Sequence, residues 1–335
     1  MIRLLISEVA RRRIAAGLDA LGDRVQVLAI DEAGAIHGAQ GLVALETAQP
    51  HVAWFTDDVL RGPAFDDFCS ALLASTNLGW GQTVSAGVNN SIFKEMAARG
   101  ARVTNSHGQA LSIAEYVVTE VLVHYQHRAE RVRAQAERRW QAVPFRELGL
   151  THWLIVGFGA IGQAVAQRVR SFGARVTAVD QVARPLADRT VQLPEVCSVA
   201  SEADVVVLAL PLTDETAGVA DERFFAAMKS DAVFVNVGRG GLVDEAALLA
   251  ALDAGAPAHA VLDVVVTEPL PADSPLWDHP RVVLSAHTSA LGSGYQARND
   301  AAFLANLARF VDGQPLESEV DRKTLASPIV DWKAS

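Results

Sequence analysis

WLIVGFGAIGQAVAQRVRSF, residues 153–172, contains the pattern that decides the fold of this 335-residue chain. Its centre, GFGAIG, fits G-x-G-x-x-G between an apolar run and an amphipathic segment, which predicts a strand, a tight turn and a helix. Gly157 would permit the turn, Gly159 would let the backbone approach a pyrophosphate, and Gly162 would let helix and strand pack closely. The free N–H groups of the helix N-terminus would bind the phosphates, so the stretch predicts a dinucleotide site.

Apolar runs alternate with helical segments on both sides of this turn. Those from Trp153 onward are apolar throughout, as strands buried on both faces of a parallel sheet should be: WLIVG, ARVTAVD, ADVVVLALP, AVFVNVG, AHAVLDV and RVVLSAH. The first hundred residues carry four more runs, IRLLI, RVQVLAI, HVAWF and RVTN. The predicted fold class is therefore α/β, with two doubly wound parallel-sheet domains.

The order of the segments predicts a discontinuous first domain. A helix predicted over residues 295–310 has no sheet of its own and should return to the first domain. We therefore predict one domain of residues 1–106 and 293–335 and an inserted domain of residues 107–292. Helical spacing over residues 110–139 predicts a long helix with a continuation, bridging the two domains.

Composition excludes several functional classes. The formal net charge of −10 at pH 7 opposes nucleic-acid binding, which needs a basic surface. No run approaches the roughly 18 to 20 apolar residues of a membrane helix. The N-terminus MIRLLISEVARRR lacks the features of a signal peptide, so we expect a cytoplasmic protein.

The cysteines and histidines predict neither a disulfide framework nor a metal site. Cys69 and Cys197 are far apart, and the nine histidines form no close ligand pair. A basic run over residues 128–139 is interrupted by Glu130 and Glu137, which favours a solvated helix face.

Asp180 closes the strand predicted after the glycine turn. A carboxylate at this place can accept hydrogen bonds from the ribose hydroxyls and would repel a 2′-phosphate, which favours NAD over NADP. Arg184 is close enough in sequence to neutralise a phosphate, so NADP stays open.

Arg239, Glu268 and His287 follow three predicted strands. The C-terminal ends of parallel strands share one edge of the sheet, where functional residues collect. Taken singly, these residues could be a surface ion-pair partner, a turn residue and a helix cap. Their joint position beside a nucleotide fold instead predicts a catalytic site.

Motifs along nearly the whole chain resemble the D-isomer-specific 2-hydroxyacid dehydrogenase family. They are GFGAIG, LPLTDETAG, VNVGRGGLVDEAAL, LDVVVTEPLPADSPLW, SAHTSA and FLANLARFVDGQPLESEVD, with looser matches in SAGVNN and TNSHGQALSIAEYV. The resemblance implies a Rossmann NAD-binding domain inserted into a flavodoxin-like substrate domain. We expect none of the regulatory domain of the longer phosphoglycerate dehydrogenases.

The resemblance also implies the reaction and the roles of the three residues. A 2-oxo acid and its D-2-hydroxy acid would be interconverted, with the substrate oxygens held by the Arg239 guanidinium through charge-assisted bonds. His287 would donate the proton that the ketone oxygen needs when hydride arrives, and would accept it in the reverse direction. Glu268 would favour the protonated imidazolium.

Further site residues come from the resemblance alone. The backbone of Ala86 and Gly87 would bind the substrate carboxylate, and domain closure would bring both toward Arg239 and exclude water. Asp263 would lie near the nicotinamide amide. The remaining residues expected along the cofactor, besides the three motif glycines, Asp180 and His287, are Ala160, Ile161, Leu210, Pro211, Val237 and Gly238.

The segment ending in Trp140 resembles the family's dimer arm, so a homodimer is expected. For Trp140 itself, ordinary packing is favoured over a role in a partner's active site.

Departures from the family pattern leave the substrate open. Asn89 stands where aspartate is usual, Gly238 where serine or alanine is frequent, and Ser285 and Ala286 where Thr-Pro commonly precedes the histidine. Glyoxylate, hydroxypyruvate or another small 2-oxo acid are the leading substrates, and phosphoglycerate, formate and phosphite are alternatives. An NAD-sensing binding protein similar to the family's corepressors is the alternative of another class.

Overall fold

The structure, a computed structural model, describes residues 1–88, 90–322 and 325. The predicted departure at Asn89 and the last ten residues of the predicted first domain lie outside the described residues. Within them the chain divides into two compact units. One consists of Met1–Gly108 with the C-terminal residues from Ser293 onward, and the other of Gln109–Gly292.

Strands and helices alternate along both units. The strands are β1 (Ile2–Ser7), β2 (Val25–Ile30), β3 (Ile36–Gly38), β4 (Gly41–Val43), β5 (Val52–Phe55), β6 (Trp80–Thr83), β7 (Arg102–Thr104), β8 (His152–Val156), β9 (Arg175–Val179), β10 (Arg189–Val191), β11 (Val205–Leu208), β12 (Val233–Asn236), β13 (His259–Leu262) and β14 (Val282–Leu284).

The α-helices are α1 (Glu8–Arg13), α2 (Ala15–Asp19), α3 (Leu45–Ala48), α4 (Asp57–Leu60), α5 (Phe65–Leu73), α6 (Ser91–Ala98), α7 (Ala110–Tyr125), α8 (Arg128–Ala136), α9 (Ala160–Ser171), α10 (Val196–Ala200), α11 (Glu222–Ala227), α12 (Glu245–Ala254) and α13 (Tyr295–Val311). Short 3-10 helices span Gly22–Arg24, Leu148–Leu150, Leu193–Glu195 and Gly240–Leu242. None of the helices in the described part of the chain is long and apolar enough to cross a membrane.

The second unit is built on a fully parallel sheet in the order β10-β9-β8-β11-β12-β13-β14. This order reverses between β8 and β11, as in dinucleotide-binding sheets. The central strands β8, β11 and β12 are buried at every position, which explains why their sequences are apolar throughout. All six strands predicted here form, and the short edge strand β10 was missed.

The first unit has the sheet order β4-β3-β2-β1-β5-β6-β7. Five of its strands are parallel, while β3 and β4 form an antiparallel hairpin at one edge. The fold class of two parallel-sheet α/β domains is thus confirmed, but a wholly parallel first sheet is wrong. The hairpin was missed because its strands are only three residues long and largely exposed.

Strand β6, with the sequence WGQT, was also missed. Its Gln82 is buried and accepts a hydrogen bond from Thr104 Oγ1 at 3.1 Å, and Trp80 Nε1 donates to the same Thr104 oxygen at 2.9 Å. These partners lie more than 20 residues apart in sequence. The strand is therefore stable with polar side chains that an apolar-run criterion rejects.

The helical segment predicted over residues 110–139 forms two successive helices, in agreement with the prediction of a long helix and a continuation. His127 has a φ of 49°, in the left-handed region, and separates α7 from α8.

Helix α13 packs in the first unit, where Phe303 stacks on Trp54 with 4.2 Å between ring centroids. Such stacking adds to the burial of both rings and ties the C-terminal helix to the first sheet.

Candidate active site

The glycine turn has the geometry that its sequence predicted. Gly157 follows β8 with a φ of 97°, and a Cβ there would lie 2.7 Å from the Ala209 carbonyl after β11. A Cβ at Gly162 would lie 2.2 Å from the Gly157 oxygen, whereas one at Gly159 would meet nothing within 4 Å. Gly159 caps the N-terminus of α9, so this open space adjoins a helix end that is suited to bind phosphates.

Asp180 follows β9 on the neighbouring strand. Its Oδ2 accepts a hydrogen bond from Arg184 Nε at 3.2 Å, and its Oδ1 accepts one from the backbone N–H of Val182 at 3.2 Å. The Asp180 side chain is 16% exposed and that of Arg184 40% exposed. The cation that could bind a 2′-phosphate is therefore already paired with the carboxylate that would bind ribose hydroxyls.

The loop after β11 closes this side of the sheet. Leu210 is half-buried and Pro211 is exposed. The buried Thr216 Oγ1 donates to the Pro211 carbonyl at 2.7 Å and accepts from Thr213 N–H at 2.8 Å. The motif LPLTDETAG thus folds into a turn with its own hydrogen bonds, which holds Leu210 beside the glycine turn.

A buried asparagine that the sequence analysis overlooked shapes the turn that carries Arg239. Asn236, at the end of β12, is fully buried. Its Oδ1 accepts from Gly238 N–H at 3.0 Å, and its Nδ2 donates to the Arg239 carbonyl at 2.9 Å. The signal that could have identified it is the single polar residue within the buried run VFVNV. Val237 and Gly238 are buried in this turn.

The Arg239 guanidinium lacks a carboxylate partner among the described residues. It donates one hydrogen bond, from an Nη to the Gly238 carbonyl at 2.7 Å, and forms no salt bridge there. Burial lowers the pKa of Arg239, which the negative charge of Glu268 partly offsets. A partly buried cation with unused donors in a fixed plane is suited to bind an anionic ligand bidentately.

Glu268 is held on the loop after β13 by the backbone. Its Oε1 accepts from Val265 N–H at 3.2 Å, and the nearby Val266 N–H donates to Glu245 Oε1 at 2.7 Å. Glu245 lies in the first turn of α12, and Asp244 caps that helix by accepting from Ala247 N–H at 3.0 Å. The hydrogen bond from Val266 to Glu245 therefore connects α12 to the loop of Glu268 and stabilises that loop.

His287 and Glu268 are in direct contact. His287 Nδ1 lies 2.8 Å from Glu268 Oε2, and His287 Nε2 makes no hydrogen bond within the described residues. Burial alone would raise the pKa of Glu268, but the hydrogen bond to His287 and the charges of His287 and Arg239 outweigh it, so the pKa is lowered. The carboxylate stays ionised, orients the ring through Nδ1 and leaves Nε2 available for proton transfer.

Asp263 is buried at the end of β13, and both of its carboxylate oxygens accept hydrogen bonds from residues 285–289.

Ala86 and Gly87 belong to the other unit, in the loop after β6. There Asn105 Nδ2 donates to the Ala86 carbonyl at 2.6 Å. Trp140 is fully exposed, so it does not pack against its own subunit.

The residues fit a dinucleotide on structural grounds. The open face of Gly159 at the N-terminus of α9 suits a pyrophosphate, and Asp180 at the end of the next strand suits a ribose. Arg239 and the Glu268–His287 pair follow β12, β13 and β14 at the same sheet edge. This edge therefore combines groups for a nucleotide, an anion and a proton.

A family model described as D-isomer specific 2-hydroxyacid dehydrogenase, NAD binding domain, matches residues 118–289. The glyoxylate reductase/hydroxypyruvate reductase of Mus musculus is 32% identical over 74% of this chain and 78% of its own length. The D-3-phosphoglycerate dehydrogenase of Mycobacterium leprae is 31% identical over 98% of this chain, which spans 61% of that protein.

A solved structure has the same architecture over almost the whole chain. It is a D-isomer specific 2-hydroxyacid dehydrogenase from Xanthobacter autotrophicus in complex with NADPH and MES. It is 27% identical, with a TM-score of 0.75, covering 97% of this chain and 99% of the other. A nicotinamide dinucleotide, NAD or NADP, therefore fits the second unit.

Proposed function

Since the chain belongs to the D-isomer specific 2-hydroxyacid dehydrogenase family, we propose that it interconverts a small 2-oxo acid and its D-2-hydroxy acid. The family resemblance predicted from the motifs is confirmed, and so is the enzyme class of NAD(P)-dependent oxidoreductases that act on CH–OH groups.

Arg239 binds the substrate in this proposal. A 2-oxo acid presents carboxylate and ketone oxygens side by side, and a guanidinium matches such a pair with two parallel charge-assisted hydrogen bonds. The Arg239 donors not used by Gly238 are available for these bonds. The backbone of Ala86 and Gly87 is assigned to the substrate carboxylate by the resemblance alone.

His287 transfers the proton. When bound, the nicotinamide supplies the hydride in one direction and accepts it in the other. His287 Nε2 donates a proton to the ketone oxygen as negative charge develops there, while Glu268 stabilises the protonated ring through Nδ1. In the reverse direction the neutral ring accepts the hydroxyl proton, and Glu268 keeps the same orientation.

The observation that carries the proposal is the 2.8 Å contact between His287 Nδ1 and Glu268 Oε2. It orients a histidine whose other nitrogen is available at the sheet edge that carries Arg239. The family's corepressors retain the same three residues, so we favour the enzyme because the relatives reported above are oxidoreductases, and turnover is the observation that separates the two. A cytoplasmic location and a homodimer remain predictions from the sequence.

Turnover of a panel of 2-oxo acids with NADH and NADPH tests the function. Glyoxylate and hydroxypyruvate are the substrates we expect to be reduced, in keeping with the mouse relative. Phosphohydroxypyruvate reduction and formate and phosphite oxidation complete the panel. Nucleotide binding without oxidation of NADH or NADPH by any 2-oxo acid would favour the NAD-sensing protein instead.

Asp180→Ala should shift the cofactor preference toward NADPH. The substitution removes the carboxylate that binds ribose hydroxyls and frees Arg184 from its ion pair, so a 2′-phosphate gains a partner. We expect the ratio of kcat/KM for NADPH to that for NADH to rise by about 10- to 100-fold, as loss of a charged hydrogen bond implies. Initial rates with both cofactors measure it.

Two variants control this experiment. Asp180→Ala combined with Arg184→Ala should lose most of the gain with NADPH, because the freed cation is gone. Asp19→Ala removes an exposed carboxylate of the other unit and should leave the ratio unchanged. An unchanged ratio in Asp180→Ala would mean that Asp180 does not select the cofactor.

A further inference from the structure

The loop after β6 carries two successive backbone N–H groups that are not used by the fold. The N–H groups of Ala86 and Gly87 donate no hydrogen bond to any residue that the structure describes, and both residues are half-buried. The loop lies at the C-terminal end of a strand that is parallel to both of its neighbours, where ligands of such sheets bind. These two donors are therefore available to a ligand.

The segment that follows β7 fixes the direction of both N–H groups. Ser106 N–H donates to the Ser85 carbonyl at 3.3 Å, and Asn105 Nδ2 donates to the Ala86 carbonyl at 2.6 Å. The peptide bonds that join Ser85, Ala86 and Gly87 are trans. In a planar trans peptide the carbonyl and the next N–H point in opposite directions. Because both carbonyls are anchored, both N–H groups are directed away from the anchoring segment, as an anion site requires.

Asn105 is attached to the sheet of the first unit. Strands β6 and β7 are in register, with Gln82 opposite Thr104, so the chain leaves both strands at the same level of the sheet. The backbone N–H of Asn105 also donates to the Ser318 carbonyl at 3.2 Å. With its backbone held in this way, the Asn105 side chain is the group that holds the Ala86 carbonyl.

We propose that Asn105 is a positioning residue for the carboxylate of the substrate. By holding the Ala86 carbonyl, it directs the Gly87 N–H toward the bound carboxylate. The same hydrogen bond polarises the peptide and makes this N–H a stronger donor. The inference rests on the proposed function, which assigns the carboxylate to the backbone of Ala86 and Gly87. In this arrangement Asn105 acts on the substrate only through the peptide.

Asn105→Leu tests the inference with a side chain of similar shape that cannot donate a hydrogen bond. Without this bond the Ala86–Gly87 peptide can rotate, and its N–H no longer meets the carboxylate. We expect the KM for the 2-oxo acid to rise by about 10- to 100-fold, the usual effect of losing a hydrogen bond to a charged group. The carboxylate is bound alike in the ground state and the transition state, so kcat should stay within about threefold of the wild type.

Oxamate measures the same loss without turnover, because it keeps the carboxylate and carbonyl of a 2-oxo acid but is not reduced. Titration of the NADH complex of Asn105→Leu should give a Kd for oxamate that is raised by the same factor as KM. The Kd for NADH should stay unchanged, since the glycine turn belongs to the other unit. A purely structural role of Asn105 would instead lower the thermal unfolding midpoint and leave KM as in the wild type.

Asn77→Leu is the matched control. Asn77 is an exposed asparagine of the same unit, and its side chain forms no hydrogen bond within the described residues. This variant should keep the KM and the Kd for oxamate of the wild type. If circular dichroism shows that Asn105→Leu misfolds, Asn105→Ala removes the same donor without adding apolar bulk and decides the matter. A wild-type KM in the folded variant would overturn the inference.

A structural readout separates this inference from the proposed function. If the wild type turns over no 2-oxo acid, the proposed function fails. Crystal structures of the wild type and of Asn105→Leu still show the orientation of the Ala86–Gly87 peptide. A peptide that rotates in the variant supports positioning. A peptide that keeps its orientation refutes it even if KM rises, because Asn105 would then act on the substrate directly.

Discussion

Arg239→Ala should lower kcat/KM for the 2-oxo acid by about 10² to 10⁴ while leaving the Kd for NADH almost unchanged. The range follows from losing two charge-assisted hydrogen bonds, each worth about 1.5 to 3 kcal/mol. Arg239 forms no salt bridge within the described residues, so its removal leaves no carboxylate of the protein without its partner. The fall in kcat/KM therefore reports the loss of substrate binding and not the loss of an internal ion pair.

Arg239→Lys and Arg128→Ala are the controls for this prediction. Lysine keeps the charge but not the planar fork, so its activity should lie between those of the wild type and the alanine variant. Arg128 is exposed at the start of α8, and its replacement should have no effect. Steady-state kinetics measure kcat/KM for the 2-oxo acid, and fluorescence titration measures the Kd for NADH. Turnover by Arg239→Ala equal to that of the wild type would exclude Arg239 from the site.

His287→Asn should lower kcat by about 10² to 10⁴, the contribution expected of a general acid. Asparagine preserves much of the shape and can still hydrogen-bond to Glu268, but it cannot transfer a proton. NADH binding should persist, since the glycine turn and Asp180 are untouched. A loss of less than about tenfold would mean that another group donates the proton.

Glu268→Gln completes the test of this pair. Glutamine lacks the negative charge that stabilises the protonated ring, so kcat for reduction should fall. Adding Glu268→Gln to His287→Asn should lower kcat little further, because Glu268 acts through His287. Additive losses in the double variant would show that the 2.8 Å contact between Nδ1 and Oε2 has no part in catalysis.

Local sequence was sufficient for the nucleotide half of the site. The three glycines of the turn lie within six consecutive residues, and the absence of their Cβ atoms allows the close approaches to the Gly157 and Ala209 carbonyls. The strands of the second unit were found because burial on both faces demands apolar residues at every position. Where polar side chains replace that pattern, as at Gln82 in β6, the strand was missed.

The grouping of Arg239, Glu268 and His287 was also predictable, for a topological reason. Successive parallel strands end at the same edge of a sheet, so residues that follow β12, β13 and β14 must be neighbours. Sequence order and strand type determine this before any side-chain contact is known. The same reasoning gives no distances, and it did not anticipate that Asn236 shapes the Arg239 turn.

By itself, then, the sequence determined the fold class, the nucleotide turn and the residues at one sheet edge, because these depend on local pattern and strand order. Only the tertiary structure decided how the side chains there are oriented. The left-handed conformation of Ala286 and His287 has no local signal, since neither residue is glycine. The turn around His287 hydrogen-bonds to Asp263, more than 20 residues earlier, and this buried carboxylate is satisfied only when the two segments are packed together.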